Sequence, residues 1–174
     1  RNWVDVDKTP RLPSSNTAYR AELGIGASDV VALYSGNMAS KQGLECLAEV
    51  AELLDDGDRK ISMLLCGQGP LRETLEAMCE GRRNVKFIDL RPIEQLDELL
   101  ATADIHLLPQ RAEAADLVLP SKLTGMLASG RPVIAMAIMA GTNVSDSTKA
   151  DSSARMTVRA IGSNIFPSTP VNVS

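Results

Sequence analysis

The chain has little of several residue types on which protein chemistry often depends. Among its 174 residues, aromatic side chains make up 3%, and His106 is the one histidine. A single histidine argues against a histidine-based metal site, so we expect no metal. The three cysteines, Cys46, Cys66 and Cys79, are odd in number and show no CxxC spacing. This pattern favours reduced thiols in a cytosolic protein over a disulfide framework.

Long apolar runs and an excess of positive charge are also missing. No segment approaches the roughly 20 apolar residues of a membrane-spanning helix, and no signal peptide is visible. The net charge of −4 argues against non-specific nucleic-acid binding, although it leaves room for a site that holds a single phosphate group. The chain opens at Arg1 without a methionine, so we interpret it as a fragment of a longer protein.

What is present is a regular alternation of short apolar runs with segments of helical spacing. The apolar runs predict strands at 30–35, 61–66, 85–88, 104–108 and 132–135. The helical spacing predicts helices at 41–54, 71–79, 93–101 and 120–128, with Ile93 facing inward. Such alternation implies crossover connections, and therefore an α/β fold: a Rossmann-like, doubly wound parallel sheet.

The two ends of the chain do not follow this alternation. We predict that residues 1–20 form an extended linker segment and that residues 21–140 form the folded domain. Residues 141–174 are rich in small polar side chains and predict an atypical, irregular tail, with one short strand at 158–165. No internal repeat is visible.

Small and polar residues follow three of the predicted strands. They are Ser35-Gly36-Asn37, Gly67-Gln68-Gly69 and Asp89-Leu90-Arg91. Ligands of open parallel sheets bind outside the carboxyl ends of the strands, so these three segments are expected to line one crevice. The Gly67 turn alone is weak evidence, because it also suits any tight connection. A dinucleotide site is disfavoured because its third glycine and its distal acidic residue are not convincingly placed.

The segment that begins Pro120-Ser121-Lys122 is the strongest candidate for chemistry. A proline at a helix start leaves backbone N–H groups free beside a hydroxyl and an ammonium, which together suit an anion such as phosphate. Lys41 lies in the first turn of its predicted helix, where a positive charge interacts unfavourably with the helix dipole. A bound anion facing this lysine would explain its position. Gly125, inside the helix, allows close packing or close ligand approach. The alternatives are an ordinary helix cap and solvent-exposed lysines.

The other reactive side chains suggest no catalytic group. His106 lies within an apolar strand, where a core or interface role is favoured, and no Ser-His-Asp or Cys-His arrangement can be argued from it. The catalytic residues therefore stay unassigned.

Several motifs in order resemble the family 4 glycosyltransferases, and within them the group that builds bacterial exopolysaccharides of the colanic-acid type. The matching segments are NWVDVD (2–7), LYSGNM (33–38), KQG (41–43), LCGQGP (65–70) and PSKLTGMLASGRPV (120–133). The resemblance covers residues 1 to about 140. It implies the carboxyl-terminal, donor-binding half of a GT-B enzyme, whose amino-terminal acceptor domain is absent from this chain.

The resemblance also implies roles for individual residues. Gly36, with its neighbour Asn37, and Lys41 correspond to positions near the donor diphosphate, and Gly67 and Arg91 to the wall around the nucleobase. Pro120, Ser121 and Lys122 correspond to the diphosphate-facing helix start. Gly125 stands where many members carry a ribose-binding glutamate, and the tail after residue 142 does not resemble the family's closing helix, as in a truncated or frame-shifted end.

The resemblance implies no cofactor beyond a GDP- or UDP-linked sugar as donor substrate. The acceptor would be a growing polysaccharide or a lipid-linked saccharide, at a cytoplasmic location or peripherally at the inner face of the membrane. Two alternatives stay open: a fragment of a GT-B sugar-nucleotide epimerase, and a non-catalytic degenerate fragment. With half of the active site absent, this chain alone is expected to transfer sugar poorly or not at all.

Overall fold

A computed structural model describes residues 17–55, 60–111, 121–138 and 156–161, which are built around a six-stranded sheet. The strand order across the sheet is β3-β2-β1-β4-β5-β6. The strands are β1 Val30–Ser35, β2 Ile61–Cys66, β3 Val85–Ile88, β4 Ile105–Arg111, β5 Val133–Ile138 and β6 Met156–Ile161. The first three match the predicted runs residue for residue.

Five of these strands are parallel, which confirms the predicted Rossmann-like α/β fold. The sixth strand, β6, differs from the predicted all-parallel sheet because it pairs antiparallel with β5. The pairing runs from Val133 opposite Ile161 to Ile138 opposite Met156. An antiparallel neighbour needs no crossover helix. The short strand predicted at 158–165 therefore exists, shifted towards the amino terminus. The prediction of irregular tail structure is wrong at Met156 and Thr157, and residues 141–155 and 162–174 lie outside the described part of the chain.

The helices differ from the predictions mainly at their starts. They are α1 Ala18–Glu22, α2 Glu45–Asp55, α3 Arg72–Met78, α4 Leu96–Thr102 and α5 Ser121–Ala128. The helix predicted at 41–54 is interrupted, because Gly43 has a left-handed backbone with φ 63° and separates a 3-10 turn at Ser40–Gln42 from α2. A second 3-10 turn at Ile93–Gln95 precedes α4 and leaves Ile93 74% exposed, so its predicted inward orientation is wrong.

The amino-terminal boundary also moves. The predicted linker extends to residue 20, but α1 begins at Ala18 and packs against α4. Arg20 fixes this helix, since its buried guanidinium lies 2.6 Å from Asp104 Oδ2 and donates to the carbonyl oxygens of Gly26 and Asp29. Residues 1–16 lie outside the described part of the chain.

Side chains alternate along the strands between two helical layers. In β1, Val31 and Leu33 pack in a cluster with residues of α1 and α4, whereas Ala32 and Tyr34 pack with residues of α2 and α3. Helix α5 covers β4 and β5 through Leu123 and Met126. The sheet is thus covered on both faces, which accounts for its nearly continuous apolar strands.

Strands β4 and β5 extend further than their apolar runs predict. Strand β4 continues through Pro109 to Arg111, although a proline lacks the N–H that a central strand donates. The pairing of β4 with β1 ends at His106, so Pro109 leaves no ladder bond to β1 unmade. Strand β5 continues to Ile138 because Met136, Ala137 and Ile138 pair with this extension of β4.

The histidine and the three cysteines are all buried. His106 is fully buried in β4, and Cys46, Cys66 and Cys79 are buried free thiols. Burial raises the pKa of the Cys46 thiol to about 12, aided by nearby Glu49 and Glu45. Over the described ranges, no helix has the length and apolarity to cross a bilayer, and no cluster of three or more His, Cys, Asp or Glu side chains could hold a metal ion.

Candidate functional site

The sheet has its topological switch point between β1 and β4. These strands are neighbours, yet β2 and β3 separate them in sequence and lie on the other side of β1. The connections leaving β1 and β4 therefore run in opposite directions, and a crevice opens beyond the carboxyl ends of the two strands. Gly36 is the first residue after β1, and α5 with Lys122 is the helix that follows β4.

The Lys122 side chain lies directly over Gly36. A Cβ atom placed on Gly36 would come within 2.6 Å of Lys122 Nζ and 2.9 Å of its Cε. Gly36 also has φ 148°, a backbone conformation that side-chain-bearing residues rarely adopt. The lysine therefore occupies the space that a side chain at position 36 would need, and the structure brings Gly36 and Lys122 together.

The ammonium of Lys122 is partly buried, and its polar neighbours among the described residues are neutral. It lies 3.4 Å from Tyr34 Oη, 3.5 Å from Gln42 Oε1 and 4.9 Å from the centroid of the Tyr34 ring. Among the described residues, no carboxylate lies within ion-pair distance of it. Burial lowers the pKa of Lys122. A cation in this state gains from an anion that replaces its lost hydration.

Tyr34 and Gln42 were not predicted as site residues. Tyr34 is 1% exposed and forms part of an apolar run, which is typical of a core residue. Its hydroxyl reaches beyond the core, donating to Asn37 O at 2.7 Å and contacting Gln42 Oε1. The sequence feature that could have identified Tyr34 is its position two residues before Gly36, the glycine that follows β1. We refer to Tyr34, Gly36, Gln42 and Lys122 together as the Lys122 site.

The loop after β2 closes onto the loop after β1. A Cβ on Gly67 would collide with the carbonyl oxygen of Gly36. A Cβ on Gly69, whose φ is 146°, would lie 2.6 Å from both Asn37 Oδ1 and Met38 O. The structure therefore brings Gly36, Asn37 and Gly67 together, as expected from their positions after neighbouring strands.

Arg72 holds the ends of β2 and β3 in place. Its Nη1 donates to Gly67 O at 2.5 Å, to Ile88 O at 3.0 Å and to Asp89 Oδ1 at 3.0 Å. An open cleft of about 520 Å³ borders this arginine, lined by Gln68, Gly69, Pro70, Arg72, Glu73, Glu76 and Asp89. The loop carrying Gly67 is thus fixed from the side opposite Gly36.

Two predicted site residues, Arg91 and Gly125, have contacts with elements outside the Lys122 site. Arg91 forms an ion pair with Glu22 of α1 at 3.1 Å and lies over the Tyr19 ring. A Cβ on Gly125 would lie 3.5 Å from Leu100 Cδ1 of α4. The roles proposed for these two residues therefore stay predictions.

Three further predicted residues are described only in part. Lys41 lies in the 3-10 turn between β1 and α2, and Ser121 is the first residue of α5. The side chains of both lie outside what the structure describes, as does the whole of Pro120. Their predicted part in anion binding rests on these backbone positions and on the sequence.

Comparison with known families identifies the domain. Residues 29–158 match the family described as glycosyl transferases group 1. The chain is 38% identical over 132 residues to the putative colanic acid biosynthesis glycosyl transferase WcaI of Escherichia coli K12, covering 74% of this chain and 32% of that protein. It is 31% identical over 140 residues to the lipopolysaccharide glucosyltransferase WaaG of the same organism, covering 78% and 36%. The chain thus spans about a third of these relatives.

Solved structures share the fold at low sequence identity. Anabaena HepE, crystallised with UDP-glucose, has a TM-score of 0.59 at 20% identity, over 76% of this chain and 36% of that one. The carboxyl-terminal domain of the group 1 glycosyl transferase LpcC from Francisella tularensis has a TM-score of 0.57 at 17% identity, over 76% and 70%. The chain belongs to the glycosyl transferases group 1 family, with the fold of the carboxyl-terminal domain of a GT-B glycosyltransferase.

Proposed function

We propose that this domain binds the nucleoside diphosphate sugar donor of a glycosyltransferase, and that Lys122 contacts the diphosphate. The observation that carries the proposal is the partly buried ammonium over Gly36, without an acidic partner among the described residues. It lies at the switch point of the sheet and on the first turn of α5, where backbone N–H groups also favour a bound anion. The name of the HepE structure with UDP-glucose supports a donor of this class.

The chemistry follows from where negative charge develops. Transfer of a hexose joins its anomeric carbon to a hydroxyl oxygen of the acceptor, which releases its proton to water, and breaks the bond between that carbon and a phosphate oxygen. The electron pair of the broken bond stays with the departing nucleoside diphosphate. A fixed cation beside this group stabilises it more as the charge grows, which favours the transition state over the bound donor. Lys122 is placed for this role in a site partly shielded from water. We assign no general base, and propose that the acceptor, a growing polysaccharide or lipid-linked saccharide, is held by a further domain.

The proposal is tested by titrating the 174-residue chain with UDP, GDP, UDP-glucose and GDP-mannose in a calorimeter. We expect saturable binding of at least one nucleotide, and a loss of about tenfold in affinity on Lys122→Met, which keeps the length of the side chain and removes its charge. Lys60→Met is the matched control, since Lys60 is exposed at the opposite end of the sheet, directly before β2. Because charge pairing is screened by salt, binding should weaken as ionic strength rises.

Two results would overturn the proposal. Failure of all four nucleotides to bind the folded wild-type chain would favour a non-catalytic domain. Equal affinities of the wild type and the Lys122→Met variant would remove Lys122 from the site. A separate assay with donor and acceptor should show little or no transfer by this chain alone, because both substrates must be positioned together.

A further inference from the structure

The Lys122 ammonium is held by two neutral oxygen atoms, neither of which comes from a residue predicted to bind the donor. Tyr34 Oη lies 3.4 Å and Gln42 Oε1 3.5 Å from Lys122 Nζ. Both distances are long for charge-assisted hydrogen bonds, which are usually near 2.8 Å. The lysine is therefore located by these contacts without being tightly engaged by them.

Tyr34 and Gln42 are themselves linked. The Tyr34 hydroxyl carries one proton, and two acceptors lie within its reach: Asn37 O at 2.7 Å and Gln42 Oε1. The Tyr34 ring is buried in the core, so the hydroxyl has a fixed position. Burial also raises the pKa of Tyr34, which keeps the phenol neutral. The oxygen of Tyr34 is thus a fixed, uncharged acceptor for the lysine.

The neutrality of these acceptors matters for binding. A carboxylate in place of either would neutralise the ammonium within the protein, and a bound phosphate would then have to compete with it. Neutral acceptors hold the lysine over Gly36 and leave its charge available to a ligand. The isosteric pair of glutamine and glutamate makes this distinction testable at position 42 without a change of shape.

We propose that Tyr34 and Gln42 are positioning residues that hold the Lys122 ammonium over Gly36 without neutralising its charge, poised for the diphosphate of a nucleotide. The inference rests on the proposed function and deepens it. In this proposal, two residues outside the predicted donor site control how strongly the diphosphate group is bound. They have no effect on binding of the nucleoside.

The test compares Gln42→Glu, Gln42→Ala and Tyr34→Phe with the wild-type chain. The ligands are UDP or GDP, whichever the wild type binds more tightly, and the corresponding free nucleoside. We expect Gln42→Glu to weaken diphosphate binding about tenfold, and Gln42→Ala and Tyr34→Phe about threefold, with nucleoside affinity unchanged in all three. Lysine side-chain NMR should show that Gln42→Glu raises the pKa of Lys122, because a carboxylate favours its charged form.

The outcomes distinguish a failure of this inference alone from a failure of the proposed function. If the wild type binds the diphosphate and Lys122→Met weakens it, but Gln42→Glu binds it as well as Gln42→Ala does, the positioning role is wrong and donor binding stands. Equal losses for diphosphate and nucleoside would indicate a general structural effect and would also overturn the positioning role. If the wild type binds no nucleotide, both proposals fail. Urea unfolding of each variant checks that the chain is folded in every titration.

Discussion

His106 Nε2 lies 2.9 Å from Ser129 Oγ, and this buried contact joins β4 to the end of α5. The Ser129 hydroxyl donates its proton to Met126 O at 2.6 Å and accepts the N–H of Arg131 at 3.3 Å. His106 must therefore donate from Nε2, which leaves Nδ1 unprotonated and, within the described residues, without a hydrogen-bond partner. The neutral imidazole fits this position, and the protonated one does not.

The first prediction is that the domain loses folding stability in acid because of His106. Burial, with a smaller effect of the Arg131 charge, lowers the pKa of His106 to about 4 from its ordinary 6.5. The folded state thus favours the neutral ring, and its contribution is complete above the unfolded pKa and is lost as the pH falls through 6.5 towards 4. Urea unfolding should show a loss of about 2 kcal/mol from this residue between about pH 7 and pH 5.

The control for this prediction is His106→Gln, whose amide nitrogen can still donate to Ser129 but does not titrate. We expect this variant to lose less stability than the wild type over the same pH interval, because carboxylate titration affects both proteins equally. Identical pH profiles for the two chains would show that His106 contributes nothing to acid sensitivity.

Much of the central sheet could be predicted because its signals are local. The apolar runs of β1, β2 and β3 are each bounded by polar residues or glycine, and their bounds agree with the structure. The predicted β4 ends before Pro109 because proline is expected to interrupt a central strand. That expectation takes no account of β1, whose pairing with β4 ends before Pro109 is reached. The inward orientation of Ile93 failed because a 3-10 turn replaces the first helical turn there and changes the angular spacing.

The candidate site was predictable only where strand ends define it. Gly36 was expected in the crevice because it directly follows a strand, whereas Lys122 was linked to it only through the family resemblance, which assigns both to the donor diphosphate. Tyr34 and Gln42 could not be predicted, since their roles depend on contacts with a lysine about 80 residues later in the chain. Arg91 follows β3 as expected, but its partner Glu22 belongs to α1, which no apolar pattern revealed.

The second prediction is that Gly125→Ala stabilises the domain. Gly125 lies inside α5, and a Cβ there would make an ordinary contact 3.5 Å from Leu100 Cδ1. Alanine should gain about 0.5–1 kcal/mol through helix propensity and the reduced entropy of the unfolded chain. Urea unfolding measures the gain. A destabilised Gly125→Ala variant would show that the packing between α5 and α4 is tighter than this distance indicates.

The third prediction is that Gly67→Ala destabilises the domain. The added methyl group would collide with the backbone oxygen of Gly36, which cannot turn aside as a flexible side chain can. We expect a loss of about 2 kcal/mol, typical of overpacking at a close approach. Gly125→Ala is the matched control, since it adds the same methyl group where space exists. Unchanged stability of Gly67→Ala would mean that the two loops separate at little cost.

The fourth prediction separates backbone strain from ligand binding at Gly36. Alanine at this position would be strained by φ 148° and would also displace the Lys122 ammonium, whereas alanine at Gly24 would be strained by φ 64° in open space. Both Gly36→Ala and Gly24→Ala should therefore cost about 1 kcal/mol of folding stability. Only Gly36→Ala should weaken nucleoside diphosphate binding in calorimetry, because only there does the added methyl group occupy the place of the lysine. Equal affinities for the two variants would show that the position of Lys122 over Gly36 does not matter for binding.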